Sequence, residues 1–119
     1  MARILVVDDA AFMRLRAAKV LTDNGYEVVQ AENGREAVNI YLQWRPDAVL
    51  MDITMPEMDG LAALKEIRKL DPSARVAMVT AMGQQAIVME ALKAGARDFV
   101  LKPFRPERIL ATLQKLLAA

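Results

Sequence analysis

The chain has 119 residues, enough for one folded domain with its own core but too few for two. Lys and Arg number 16 against 15 Asp and Glu, and a net charge of +1 gives no broad attraction to nucleic acid or to an anionic membrane surface. Cysteine and histidine are absent, which excludes disulfides, thiolate chemistry, phosphohistidine and imidazole bases and leaves oxygen nucleophiles or lysine for any covalent step.

The first apolar run, Arg3–Val7, predicts a strand that starts almost at the N-terminus, without the basic and apolar pattern of a leader. No apolar stretch approaches the ~20 residues of a membrane span, so a cytoplasmic protein is expected. A helix follows with Ala11, Leu15 and Ala18 on one face, ending at Asn24-Gly25. Glu27–Ala31 is a second, more polar strand, as suits a sheet edge. Asn33-Gly34 opens a helix whose apolar face is Ala37, Tyr41 and Trp44. Ala48–Met51 is a third strand, followed by a helix with Ala63, Ile67 and Leu70 inward, stopped at Asp71-Pro72. Arg75–Val79, a helix carrying Val88, Ala91 and Leu92 up to Ala94-Gly95, Asp98–Leu101, and a last helix from Pro106 with Ile109, Leu113 and Leu116 complete the chain. Four of the five strands lack polar alternation, the pattern of strands covered on both faces. Met51, Met55, Met58, Met78, Met82 and Met89 read as core or gap filler.

Five alternating strand and helix units predict an α/β domain over residues 1–119, a doubly wound parallel sheet of five strands and five helices. The flavodoxin-like order 2-1-3-4-5 is the general arrangement for such units, and its switch point lies between strands 1 and 3. The C-terminal ends of these two strands carry Asp8, Asp9 and Asp52, while Thr80 and Lys102 end strands 4 and 5. Three converging carboxylates repel one another unless a hard cation such as Mg²⁺ sits among them. Asp52, on the central strand, is the candidate nucleophile toward phosphorus, with Lys102 neutralising and Thr80 hydrogen-bonding the transferred group. Taken singly, each residue has a structural reading: Asp8 and Asp9 as helix caps, Asp52 as a turn residue, Thr80 as a strand end, Lys102 as a surface lysine. Asp59 reads as a cap and Glu57 as solvated surface.

These residues stand within longer motifs: Val7-Asp8-Asp9, Ala31-Glu32-Asn33-Gly34-Arg35-Glu36-Ala37, Met51 through Gly60, Val79-Thr80-Ala81, Lys93-Ala94-Gly95-Ala96 and Phe99 through Phe104. From Ile4 to about Leu117 the chain resembles the receiver domain of bacterial two-component response regulators, in particular stand-alone chemotaxis receivers of the CheY type. The resemblance implies a phospho-acceptor at Asp52, Mg²⁺ (with Mn²⁺ as a substitute) held by Asp8, Asp9, Asp52 and the backbone carbonyl of Thr54, and phosphoryl contacts from Lys102 and Thr80. It further implies that Thr80 and Phe99 form a switch pair that reshapes the face of helix 4, strand 5 and helix 5. The Lys102-Pro103 bond is a cis candidate. Thr54 and Met82 flank the approach of hydrolytic water, and an apolar Met82 is expected to slow self-dephosphorylation. Phe99, lacking a tyrosine hydroxyl, is expected to lean inward readily.

The implied partners are a histidine kinase as phosphodonor, with acetyl phosphate as a small-molecule substitute, and the flagellar motor switch as target; the unphosphorylated protein is expected to be a monomer and not an enzyme acting on external substrates. A phosphorelay intermediate and a receiver excised from a longer regulator share this chemistry. Haloacid-dehalogenase-type phosphatases also use an aspartyl phosphate, but they need a second Asp two residues on, where this chain has Thr54. A nucleotide- or flavin-binding reading lacks any glycine-rich phosphate loop.

Overall fold

A computed structural model describes residues 1–118. The chain alternates strictly: β1 (Arg3–Val7), α1 (Ala11–Asp23), β2 (Glu27–Ala31), α2 (Gly34–Trp44), β3 (Ala48–Asp52), α3 (Gly60–Leu70), β4 (Val76–Thr80), α4 (Gln85–Lys93), β5 (Asp98–Leu101) and α5 (Pro106–Leu117). All strand pairs are parallel and the order is β2-β1-β3-β4-β5, the flavodoxin-like arrangement expected.

Side chains alternate between the faces of a strand, and here that alternation sorts two cores. Leu5, Val7, Val49, Met51, Val76 and Met78 point to the face covered by α2, α3 and α4. Ile4, Val6, Leu50, Ala77, Val79 and Val100 point to the face covered by α1 and α5. Each fully buried Leu, Ile or Val contributes about 2 kcal/mol through lost apolar exposure. The helix starts follow local chemistry. Asn33 caps α2 by accepting from the Glu36 N–H at 2.8 Å, Asp59 caps α3 by accepting from the Ala62 N–H at 2.8 Å, and Pro106 occupies the first turn of α5.

Several expectations shift. β3 and β4 run one residue further than the apolar runs suggest, because Asp52 and Thr80 stay in the ladder opposite Val79 and Leu101. α1 buries Ala17, Ala18 and Leu21, whereas Ala11 and Leu15 are exposed. Apolar residues surround this helix, so its phase is set by the half that packs on β2 and α5 rather than by periodicity. α3 buries Leu64 in place of Leu70, which is the last residue of the helix and is exposed. β5 is the second edge strand: Val100 is buried against α5, but Phe99 and Leu101 face outward. Met51, Met55 and Met78 are core, while Met82 and Met89 are exposed rather than filling gaps.

Candidate functional site

The parallel register brings the C-terminal ends of β1, β3, β4 and β5 to one edge, and this edge carries the five expected polar residues. At β1 the ladder continues one step past the strand: the Asp8 N–H donates to the Ala31 carbonyl at 3.1 Å, fixing Asp8 at the mouth. Its Oδ1 accepts from the Ala10 N–H at 2.9 Å, and Arg14 Nη1 donates to its backbone carbonyl at 2.7 Å. The residue before α1 is Ala10, which makes no side-chain cap bond, so neither Asp8 nor Asp9 caps that helix. Asp8 is 5 % exposed; Asp9 faces solvent.

Asp52 ends the central strand and is 6 % exposed. Its Oδ1 accepts from the Ile53 N–H at 3.0 Å and lies 3.2 Å from Lys102 Nζ, which also lies 2.8 Å from Asp8 Oδ2. Among the described residues none donates to Asp52 Oδ2, so one oxygen is oriented and the other is left open. Lys102 in turn is fixed by its backbone: its N–H donates to the Thr80 carbonyl at 2.7 Å, and the bond to Pro103 is cis, as expected. Thr80 is 2 % exposed.

One close approach holds the acceptor strand. The Gly60 N–H donates to the Ile53 carbonyl at 2.7 Å, and a Cβ on Gly60 would lie 1.9 Å from the Asp52 carbonyl oxygen. We expect Gly60→Ala to push the loop after β3 aside and to cost about 3 kcal/mol, an overpacking effect measurable by urea denaturation. A loss below the error of that measurement would contradict it.

One ligand oxygen from each of Asp8, Asp9 and Asp52 lies within 4.8 Å of the other two, a spacing suited to a shared hard cation. Burial, and then the neighbouring Asp8 charge, push the Asp52 carboxyl up to about 6 despite Lys102. For Lys102, burial disfavours the ammonium, but Asp8 and Asp52 more than offset it and hold its pKa above the ordinary lysine value. The Asp52 shift sets a sign. An acid whose folded pKa is raised binds a proton in the folded state before it does so in the unfolded chain. Cation-free protein therefore gains stability as pH falls from 7.5 toward 5, by about 1 kcal/mol. Urea melts in EDTA at the two pH values check this; a loss of stability over that interval would contradict it.

The sequence reading missed Gln84 and Arg14. Gln84 reaches from the start of α4 to both Thr54 and Thr80, and nothing in its spacing signals that reach. Phe99 stands at 40 % exposure beside a groove of about 330 Å³ lined by Val88, Met89, Leu92 and Leu101. It borders the groove rather than leaning into the core, because that edge of the sheet is uncovered. Met82, at 82 % exposure, lies on the loop between β4 and α4.

Residues 4–114 match the family described as the response regulator receiver domain. The chain belongs to that family. The chain is 56% identical over 115 residues to the chemotaxis protein CheY of Thermotoga maritima, covering 96% of each, and 56% identical over 116 residues to that of Bacillus subtilis, covering 97% of each. Among solved structures, the response regulator domain of Thermotoga maritima CheB superposes with a TM-score of 0.92 at 36% identity, covering 100% of this chain and 98% of that one. Among the described residues no helix of this receiver is long and apolar enough to cross a membrane.

Proposed function

We propose that this receiver is a phospho-accepting switch in which Asp52 takes the phosphoryl group. The observation that carries the reading is the split environment of its carboxylate: Oδ1 is held by the Ile53 N–H and Lys102, while among the described residues none donates to Oδ2, and one oxygen of this carboxylate lies within 4.8 Å of ligand oxygens of Asp8 and Asp9. In the transfer, Oδ2 forms a bond to phosphorus as the bond to the donor breaks, and the electron pair departs with the donor's imidazole nitrogen or acetate oxygen. The Lys102 ammonium, already oriented between two carboxylates, balances charge on the phosphoryl oxygens. Thr80, buried at the end of the adjacent strand, supplies a hydroxyl to the same group.

The donor set fits a hard cation, being three carboxylates at short spacing, two of them buried, with Asp52 pushed toward protonation. Asp8, Asp9 and Asp52, with the Thr54 carbonyl, would hold Mg²⁺, for which Mn²⁺ can substitute; when bound, it supplies further neutralisation of phosphoryl charge. Lacking an acid at Thr54, the chain is a switch and not a phosphatase for external esters.

The output is the face of α4, β5 and α5, where Ile87, Met89, Phe99 and Leu101 are exposed. Scattered apolar residues are ordinary, but Met89, Phe99 and Leu101 line one groove that Thr80 also borders, and this supports the reading of Thr80 and Phe99 as the switch pair. With relatives that are chemotaxis proteins, the proposed setting is cytoplasmic chemotaxis, a histidine kinase as donor and the flagellar motor switch as target, acting as a monomer before phosphorylation. Labelled acetyl phosphate tests the chemistry. Uptake that needs Mg²⁺ and fails in EDTA supports it, and uptake indifferent to EDTA contradicts the cation's part. We further expect Met82→Ala to hasten loss of the label severalfold by opening the water's path; an unchanged rate removes Met82 from that role.

A further inference from the structure

The Gln84 carboxamide makes three hydrogen bonds across the mouth of the site. Its Oε1 accepts from the Ala81 N–H at 2.8 Å and from Thr80 Oγ1 at 2.9 Å, and its Nε2 donates to Thr54 Oγ1 at 2.8 Å. The orientation is determined: turning the amide over would set its NH₂ against the Ala81 N–H, two donors face to face. The Thr80 hydroxyl has one proton, and at 2 % exposure it has little access to water. That proton goes to Gln84 Oε1, since the other oxygen in reach, the Ala81 carbonyl, is more distant at 3.2 Å.

We propose that Gln84 is a positioning residue for phosphoryl transfer, holding the Thr80 hydroxyl in the resting orientation and tying it to Thr54, so that Thr80 must leave Gln84 before it can serve the phosphoryl group. The inference rests on the phospho-acceptor reading of Asp52. Thr54 and Thr80 lie on the loop after β3 and at the end of β4, and one side chain cross-links both. Gln84 is also the residue before α4, and its carbonyl accepts from the Val88 N–H at 3.0 Å. Releasing Thr80 therefore loosens the attachment of the α4 start, which joins the acceptor site to the α4 and β5 groove through a single residue.

The test compares wild type, Gln84→Met, which keeps the length but neither accepts nor donates, and Gln84→Ala, each with Thr80 and with Thr80→Val, in acetyl phosphate and Mg²⁺. With Thr80 present, both Gln84 variants should be phosphorylated about fivefold faster, the worth of one ordinary hydrogen bond. With Thr80→Val the gain should vanish, because the hydroxyl that Gln84 restrains is gone. Thermal melts establish that each variant is folded, and the pair of Gln84 variants guards against one of them failing. An equal gain in the Thr80→Val background, or no gain with Thr80 present, overturns the positioning role while leaving Asp52 as acceptor. A wild type that takes up no phosphoryl group removes the acceptor reading and this inference together.

Discussion

Asp52→Asn should abolish phosphoryl uptake and, in the same protein, raise cation-free stability at pH 7.5 by about 2 kcal/mol. The two effects share a cause. A carboxylate is the only oxygen nucleophile at the end of β3, so its amide leaves the site without an acceptor. Yet that carboxylate is costly to keep ionised: burial and the Asp8 charge push it up to about 6, and each pKa unit corresponds to about 1.4 kcal/mol. The amide keeps the shape and removes the charge. Urea denaturation in EDTA reads the stability, and a gel that retards phosphoprotein reads the uptake. An Asn variant less stable than wild type would show that the ionised form is held favourably, against the charge balance described above.

Lys102→Met should act in the opposite direction on stability. The ammonium lies 2.8 Å from Asp8 and 3.2 Å from Asp52, with its side chain only 21% exposed. Its removal leaves two buried carboxylates opposed, and breaking such a cluster from one side is strongly destabilising. Solvent access through the open mouth reduces the loss to about 2 kcal/mol. Phosphorylation should slow by at least tenfold, because charge on the transferred group loses its nearest protein cation. The signature is in the double variant: with Asp52→Asn, Lys102→Met should cost much less, since one of the two charges it balanced is gone. Equal costs in both backgrounds would mean that Lys102 stabilises by packing of its stem and not by its charge.

The legible part of this molecule lay in its strands. Each of the site's strand ends follows an apolar run, so the alternation of runs and helical segments is enough to place Asp8, Asp9, Asp52, Thr80 and Lys102 at one edge. The caps at Asn33 and Asp59 and the proline that opens α5 were equally readable, since short-range backbone chemistry decides them. What the residues alone could not show depends on packing between distant segments. α1 carries apolar residues all round, so Phe12 and Leu15 fall outward and Ala17 and Leu21 inward only because of where β2 and α5 lie. β5 has the composition of a covered strand but lies at an edge, leaving Phe99 and Leu101 outside. Gln84 meets Thr54 across 30 positions of sequence, a contact that neither periodicity nor a motif encodes.

Whether Asp52 forms an acyl phosphate is read by intact mass spectrometry after incubation with acetyl phosphate and Mg²⁺, followed by peptide mapping. The expected result is one added phosphoryl group, located on Asp52 and absent both in EDTA and in Asp52→Asn. A folded protein that gains none under conditions trapping even short-lived adducts, or that carries the group on another residue, would contradict it.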